Sequence, residues 1–196
     1  DEHNTDMLLI VGKNPMQSHH FQRARLFLKK YAKNPDKLLV VVDPRRTETA
    51  KLADIHLAIR PGTDALFYRA MISIILNEGW EKPDYINQHV NGLDGIRELF
   101  TNFDAKAALK VCELDYEQVK EVCRLYATRI SSHDTDLGVL MTRHSTLISY
   151  LETVLRSICG RVGIPGGNVF ASGLGGGGPH SDERNPKTWR TMVTDF

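Results

Sequence analysis

The chain has 196 residues, 41% of them hydrophobic and 25% charged, which is the composition of a globular protein with a sizeable core. The 25 Lys and Arg residues nearly balance the 24 Asp and Glu residues, and a net charge of +1 gives no strong field to attract nucleic acid or an anionic membrane. The longest apolar runs, residues 7–11 and 38–42, are too short to cross a bilayer, so we expect no membrane insertion by this segment.

Apolar runs, each ending in a polar turn, predict four strands: residues 7–11, 38–42, 55–59 and 137–141. Continuous apolar strands are typical of a parallel sheet that is covered on both faces. We therefore expect an α/β fold of three layers, a mainly parallel sheet of four or five strands with helices on both faces, similar to dinucleotide-binding domains.

Helices with a clear apolar face are predicted between and after the strands, over residues 18–32, 65–77, 115–126 and about 145–158. Ser18 and Asp64 are the predicted N-caps of the first two, and a helical turn or two is expected from residue 47 or 48 to residue 53. Residues 80–113 predict a helical excursion, and residues 131–136 a polar loop before the fourth strand. The Gly/Pro-rich residues 172–196 predict a tail that leads to a further domain.

The turn after each predicted strand carries residue types that bind nucleotides: residues 12–15 (Gly-Lys-Asn-Pro), 43–47 (Asp-Pro-Arg-Arg-Thr), 61–64 (Pro-Gly-Thr-Asp) and 141–144 (Met-Thr-Arg-His). Ligands of parallel α/β sheets bind outside the carboxyl ends of the strands. Gly12 allows the backbone to approach a ligand closely. The side chains of Lys13, Arg45 and Arg46 can neutralise phosphate. Asp43, at the end of a strand, is placed to receive ribose hydroxyls.

Asp64 gives the most specific signal among these residues. A carboxylate can accept two parallel hydrogen bonds from N1 and N2 of guanine, a pairing that adenine does not offer. The turns together predict a pocket for a purine diphosphate. Each residue also has a structural explanation: a helix N-cap for Asp64, an Asx turn for Asp43, a solvated face for Arg45 and Arg46, and a plain turn for Gly12. Their shared placement at consecutive strand ends favours the nucleotide.

Sequence motifs of other enzyme classes are missing or incomplete. The chain has no GxSxG, HExxH or GxxxxGK[ST]. The glycine run 173–178 has no predicted strand before it and no predicted helix after it, and a phosphate loop needs both. An NAD-dependent dehydrogenase domain is therefore the less favoured alternative, and tighter binding of NAD than of GDP would support it.

Four segments, in this order, resemble a known family: residues 8–20 (LLIVGKNPMQSHH), 40–65 (VVVDPRRTETAKLADIHLAIRPGTDA), 137–155 (LGVLMTRHSTLISYLETVL) and 158–170 (ICGRVGIPGGNVF). The second segment is the most specific. The family is the molybdopterin oxidoreductase group, which includes dimethyl sulfoxide reductase, formate dehydrogenases and dissimilatory nitrate reductases. The resemblance covers most of the chain apart from the helical excursion.

The resemblance implies that residues 1–171 form a domain that holds one guanosine end of a bis(molybdopterin guanine dinucleotide) cofactor carrying molybdenum or tungsten. It implies cofactor phosphates or pterin near the first turn, ribose and phosphate near the second, guanine near the third, and pterin near His144. The implied cofactor-binding residues are Gly12, Lys13, Asn14, Asp43, Arg45, Arg46, Thr47, Gly62, Thr63, Asp64, Thr142 and His144.

The chain departs from the family pattern in two ways. Arg143 stands where relatives commonly carry Gln, which leaves the substrate subgroup open. The iron-sulfur cysteines and the metal ligand of the family fall outside these residues, and none of the three cysteines stands at a matching position: Cys112, Cys123 and Cys159. We expect no catalytic and no metal-binding residue here, so the chain alone should be inactive and without the cofactor.

For the full-length protein, the resemblance implies a bacterial-type oxidoreductase that performs two-electron chemistry at molybdenum or tungsten. The expected partners are the remaining domains of the same polypeptide, and the redox partner subunit and the compartment, cytoplasmic or periplasmic, stay open. The alternative is a metal-free relative with the same fold and an electron-transfer or assembly role, as in the large iron-sulfur subunit of respiratory complex I.

Overall fold

The computed structural model describes residues 3–18 and 23–168, so the predicted tail and its glycine run lie outside the described residues. The strands are β1 (Met7–Val11), β2 (Leu38–Val42), β3 (Ile55–Leu57) and β4 (Ser131–Thr135). The helices are α1 (Pro15–Ser18), α2 (Ala24–Tyr31), α3 (Asp64–Asn77), α4 (Pro83–His89), α5 (Asp94–Thr101), α6 (Ala105–Val111), α7 (Tyr116–Thr128), α8 (Leu137–Leu140) and α9 (Ser145–Ile158).

The four strands form one parallel sheet in the order β3-β2-β1-β4, which confirms the predicted α/β class. From β1 the chain proceeds to β2 and β3 on one side, and it then returns to the other side of β1 to form β4. The winding therefore reverses between β1 and β4. The carboxyl ends of these two strands border the crevice where doubly wound sheets bind ligands.

The sheet has a hydrophobic core on each face because alternate side chains of a strand point in opposite directions. On one face, Leu8 and Ile10 of β1 pack with Leu28 and Tyr31 of α2. On the other face, the remaining residues of β1 share a larger core with α3, α6, α7 and α9. Helix α3 lies inside this second layer, where it packs against α5, α6, α7 and α9. The three-layer prediction is confirmed.

The fourth strand is not the predicted one. The apolar run 137–141 predicts it, but the structure places the strand one segment earlier, in the polar residues of β4, and forms the short helix α8 from the apolar run. Of the residues in α8, Val139 is buried, whereas the side chain of Leu137 is 62% exposed. Apolar character therefore misleads here, because this run packs on one side only.

Hydrogen bonds allow the polar residues of β4 to be buried. Ser131 Oγ donates to Tyr126 O at 2.8 Å and accepts from Arg161 Nε at 2.9 Å. The side chain of Asn168 pairs with the backbone of His133, accepting from its N–H at 3.1 Å and donating to its carbonyl at 2.7 Å. Buried polar groups that have such partners avoid most of the penalty of leaving water.

Several predicted boundaries also change. Ser18 is not an N-cap but the last residue of α1, and α2 begins at Ala24, after Arg23, which has a left-handed backbone conformation (φ 57°). The helical turn expected after residue 47 is present as turns over residues 48–52, where Lys51 N donates to Thr47 O at 2.9 Å as in a helix. Strand β3 ends at Leu57, two residues earlier than predicted. The N-cap of α3 is Thr63, so Asp64 is its first residue.

The helical excursion is confirmed as helices α4, α5 and α6. Helix α7 begins within one residue of the predicted position, with Asp115 as its N-cap: Asp115 Oδ1 accepts a hydrogen bond from the backbone N–H of Gln118 at 2.8 Å. In the described part of the chain, no helix is both long enough and apolar enough to cross a membrane.

Candidate functional site

Gly12, directly after β1, is held in a tight contact with the turn after β4. Its backbone has φ 59°, and its carbonyl accepts a hydrogen bond from Gly138 N at 3.1 Å. A Cβ atom on Gly12 would lie 2.5 Å from Val139 Cγ2, and one on Gly138 would collide with the Gly12 carbonyl oxygen. The close approach that this glycine permits is therefore made to the protein's own backbone.

Lys13 is buried beside Gly12 and forms an ion pair with Asp134 near the end of β4. Its Nζ lies 2.8 Å from Asp134 Oδ1 and 2.7 Å from Oδ2. The Lys13 side chain is 2% exposed, and that of Asp134 is 32% exposed. The partner of Lys13 therefore comes from β4, the strand that the sequence analysis wrongly predicted at residues 137–141.

Asn14 connects the first turn to the second. Its Oδ1 accepts hydrogen bonds from Thr49 Oγ1 at 2.7 Å and Thr49 N at 3.3 Å, and its Nδ2 donates to Glu48 Oε2 at 2.8 Å. This hydrogen bond lowers the pKa of Glu48 below its ordinary value. The Asn14 carbonyl accepts from the N–H groups of Gln17 and Ser18, the last two residues of α1, so Asn14 fixes both turns.

The turn after β2 presents two arginines to solvent. Asp43 Oδ1 accepts from the Arg45 backbone N–H at 2.8 Å, which is the Asx turn considered from the sequence. Thr47 is buried, and its Oγ1 accepts from Ala50 N at 3.2 Å. Arg45 and Arg46 are exposed, and neither guanidinium donates a hydrogen bond to a residue in the described ranges. Both are available to an anion.

The third turn holds Gly62 and Thr63 before α3. Gly62 has φ 78°, and a Cβ atom there would meet nothing within 4 Å, so the space beside it is open. Thr63 Oγ1 donates to Arg60 O at 2.7 Å. The Thr63 carbonyl accepts from Leu66 N at 3.0 Å, which begins the helix.

Asp64 is more buried than Asp43, the other acid of the candidate site. It is 6% exposed, and no side chain of the described residues donates a hydrogen bond to its carboxylate. Burial raises the pKa of Asp64 above its ordinary value; its own backbone N–H opposes the increase, and the charge of Asp43 adds to it. The structure therefore brings the acids of the second and third turns together.

Thr142 and His144 do not end a strand, because the segment that carries them follows α8. Thr142 Oγ1 donates to Val139 O at 2.8 Å. His144 is exposed in the N-cap position of α9, without a side-chain cap. In the described ranges, neither side chain hydrogen-bonds to Asp43 or Asp64.

A cavity of about 640 Å³ lies along α2. The described residues that line it are His3, Arg23, Leu26, Phe27, Lys30, Tyr31, Asn34 and Lys37. It is separate from the turns at the carboxyl ends of the strands, so it adds no residue to the candidate site.

Sequence analysis missed a buried polar network between the sheet and two helices. Tyr68 Oη lies 2.8 Å from His133 Nε2 and 3.3 Å from Glu152 Oε1, and Arg156 Nη2 donates to Glu152 Oε1 at 3.2 Å. Burial lowers the pKa of His133 well below its ordinary value, and the charge of Arg156 adds to this effect. A signal existed in the sequence: Glu152 interrupts the apolar face of α9 and thus requires a buried partner.

The parallel sheet and its reversal of winding define a doubly wound α/β domain. Comparison with known proteins identifies the family: the model of the molybdopterin oxidoreductase family matches residues 1–171. The chain belongs to the molybdopterin oxidoreductase family.

Individual relatives support this assignment. The chain is 30% identical to the F420-dependent formate dehydrogenase subunit alpha of Methanocaldococcus jannaschii over 84% of its own length and 24% of that protein. It is 27% identical to the periplasmic nitrate reductase of Desulfovibrio desulfuricans over 83% of its own length and 23% of the relative. The solved structure of acetylene hydratase from Pelobacter acetylenicus has a TM-score of 0.70 and 25% identity, covering 82% of this chain and 22% of that one.

The chain spans about a quarter of the length of the relatives that it matches. Their names include a formate dehydrogenase, a nitrate reductase and an acetylene hydratase. Membership in the family therefore does not fix the reaction.

Proposed function

We propose that this domain binds the guanosine diphosphate end of a molybdopterin guanine dinucleotide cofactor at the carboxyl ends of β2 and β3. The observation that carries the proposal is Asp64, a nearly buried carboxylate without a side-chain donor among the described residues. A carboxylate has several acceptor positions, and a ligand can supply donors to those that the Asp64 backbone N–H leaves open. Guanine supplies two of them in parallel, from N1 and N2.

The neighbouring residues suit the rest of the nucleotide. The open space beside Gly62 leaves room for a ligand against the backbone. The exposed guanidinium groups of Arg45 and Arg46 can pair with the diphosphate, because arginine presents several donors to phosphate oxygens. Asp43 uses one carboxylate oxygen in its turn, and the other can accept a ribose hydroxyl.

The residues after β1 have a different role in this proposal. Lys13 and Asn14 both hydrogen-bond within the protein, to Asp134 and to the residues 48–49. They hold the first turn against its neighbours rather than neutralise phosphate. Thr142 and His144 lie at the start of α9, where they can flank the pterin side.

The whole protein is proposed to be an oxidoreductase of which this chain is one domain, with the other domains of the polypeptide as its partners. The cofactor would supply two-electron chemistry at molybdenum or tungsten. The residues described here would hold the nucleotide end of the cofactor, orient it and exclude water from the guanine edge. No residue of this chain is assigned to the reaction itself.

Calorimetric titration of the 196-residue chain with GDP and with ADP tests the proposal. We expect GDP to bind more tightly than ADP and the substitution Asp64→Asn to weaken GDP binding by about tenfold or more, since one charged hydrogen-bond acceptor is lost. Asp84→Asn is the matched control, because Asp84 is in the first turn of α4 but exposed. Equal binding of GDP and ADP, or an unchanged affinity of the Asp64→Asn variant, would refute the guanine assignment.

A metal-free relative with the same fold is the second candidate. The internal pairing of Lys13 with Asp134 favours it, because a buried lysine that is already neutralised by the protein does not need a ligand phosphate. Metal and pterin analysis of the purified full-length protein separates the two functions. Molybdenum or tungsten together with pterin supports the oxidoreductase, and their absence supports the metal-free role.

A further inference from the structure

Helices α3 and α9 both begin on the carboxyl-end side of the sheet and pack against each other. Asp64 is the first residue of α3, and His144 directly precedes α9. The two helices therefore carry the two parts of the candidate site, the guanine side and the proposed pterin side. Any contact that fixes one helix relative to the other also fixes the spacing between these parts.

A buried polar contact joins α3 to α9. Tyr68 lies one turn after Asp64 on α3 and is 0% exposed, while Glu152 is in the middle of α9 and is 4% exposed. His133 of β4, 3% exposed, lies between them. Tyr68 Oη is 2.8 Å from His133 Nε2 and 3.3 Å from Glu152 Oε1. One hydroxyl thus joins a strand and two helices.

The geometry also sets the direction of the hydrogen bonds. His133 Nε2 lies 3.3 Å from Glu152 Oε1, so a lone pair on Nε2 would face a carboxylate. A proton on Nε2 removes this repulsion and allows His133 to donate to Tyr68 Oη, whose own O–H donates to Glu152. The other ring nitrogen, Nδ1, has no hydrogen-bond partner among the described residues, and a lone pair left unpaired there costs less than an unpaired N–H. Arg156 completes the chain by donating to Glu152 from the next turn of α9.

We propose that Tyr68, His133 and Glu152 form a positioning network that fixes the spacing between α3 and α9, and with it the spacing between Asp64 and His144. A bond that needs all three elements at once is sensitive to their relative position, because a hydrogen bond weakens over a few tenths of an ångström. The ligand side of the proposal rests on the proposed function. The network itself does not.

The test compares two buried tyrosines, of which only Tyr68 makes this bond. Tyr126 is also fully buried, and its hydroxyl has no hydrogen-bond partner among the described residues. Tyr68→Phe and Tyr126→Phe therefore remove the same atom from equally enclosed sites. Two-dimensional NMR of the 196-residue chain reports the backbone amides in the first turns of α3 and α9. We expect Tyr68→Phe to shift both sets of signals and Tyr126→Phe to leave both unchanged.

A second pair of variants separates positioning from folding. Glu152→Gln retains an acceptor for the Tyr68 hydroxyl, whereas Glu152→Leu does not. We expect the Glu152→Gln variant to retain the wild-type amide signals and GDP affinity. We expect the Glu152→Leu variant to shift the amide signals at the starts of both helices and to weaken GDP binding about tenfold. Amide shifts that stay beside the substituted residue, or a Glu152→Gln variant that behaves like Glu152→Leu, would overturn the proposal. If the wild-type chain does not bind GDP, the proposed function fails. The amide shifts would still test whether the network fixes α3 relative to α9.

Discussion

Lys13 from the turn after β1 and Asp134 from β4 form a two-pronged ion pair, with Lys13 Nζ 2.8 and 2.7 Å from the two carboxylate oxygens. Beside this pair, Gly12 and Gly138 are joined by a backbone hydrogen bond of 3.1 Å. These contacts close the crevice between β1 and β4, where the winding of the sheet reverses. The unpaired groups of the candidate site lie instead toward β2 and β3, around Asp64.

Removing the lysine should destabilise the fold. We expect Lys13→Met to lower the free energy of unfolding by about 2 kcal/mol, because it leaves a partly buried carboxylate without its partner. The loss stays moderate because the Asp134 side chain is 32% exposed, so water can solvate it in part. Urea unfolding measures the change.

The control for this substitution is Lys120→Met, which breaks an ion pair with Glu78 between two helix surfaces. We expect a much smaller change there, because the Lys120 side chain is 31% exposed, against 2% for Lys13, and ion pairs that water reaches contribute little. The double variant Lys13→Met/Asp134→Leu should recover part of the loss, since neither charge then remains unpaired. Equal losses for Lys13→Met and Lys120→Met would show that the first pair has no special role.

The glycine contact predicts a steric effect. Gly138→Ala would place a Cβ atom against the Gly12 carbonyl oxygen, so we expect a loss of about 2 kcal/mol in the free energy of unfolding. Gly95→Ala in α5 is the matched control, because its Cβ atom would meet nothing within 4 Å. Alanine favours a helix, so this variant should gain about 0.5–1 kcal/mol. Urea unfolding measures both free energies. If Gly138→Ala and Gly95→Ala changed the free energy of unfolding in the same direction, the predicted steric contact at Gly138 would be wrong.

The two arginines after β2 should act through phosphate. We expect Arg45→Gln and Arg46→Gln each to weaken GDP binding about three- to tenfold and to reduce its dependence on salt, because charge pairing at an exposed site is screened by ions. Binding of guanosine, which lacks phosphate, should not change. Lys33→Gln, at an exposed position just after α2, is the control. The measurement is calorimetry at two salt concentrations. If the arginine variants lost affinity for guanosine and for GDP equally, the arginines would not act through phosphate.

Asp64 predicts a pH-dependent stability. Because the folded chain raises its pKa, mainly through burial, the folded state binds this proton more tightly than the unfolded state does. Its contribution is therefore most favourable below the unfolded pKa of about 3.9 and becomes less favourable as the pH rises through the higher folded pKa. Asparagine does not titrate. The Asp64→Asn variant should melt at a higher temperature than the wild type at pH 7, and the difference should shrink toward pH 4.

Melting curves across this pH range provide the measurement. A constant difference between the two proteins would show that Asp64 does not titrate differently in the folded state. A higher melting temperature together with weaker GDP binding would indicate that the carboxylate is retained for the ligand, at the expense of stability.

The sequence predicts the fold class because β1 and β2 are apolar on both faces, and only a covered parallel sheet suits such strands. It fails at the fourth strand, because β4 depends on partners that are distant along the chain. Arg161 and Asn168 satisfy Ser131 and His133 from about 30 residues away. Local hydrophobicity cannot reveal such contacts, and it favours the apolar run 137–141 instead.

The candidate site could be predicted in part. The meeting of Asp43 and Asp64 follows from their positions at neighbouring strand ends, and the structure has both at the carboxyl edge of the sheet. The pairing of Lys13 with Asp134 could not be anticipated, since it requires the correct identity of β4. The fourth predicted turn depends on the same strand, and Thr142 and His144 consequently lie one helix away from the strand end.

The side chain of Asn168 covers part of the edge of β4. Its amide bonds to the backbone N–H and C=O of His133, and among the described strands β4 pairs only with β1. An uncovered strand at that position would offer a template for pairing with a second molecule. Any shortened form that stops before residue 168 would expose this template, so it should aggregate at concentrations where a form that retains Asn168 stays dispersed.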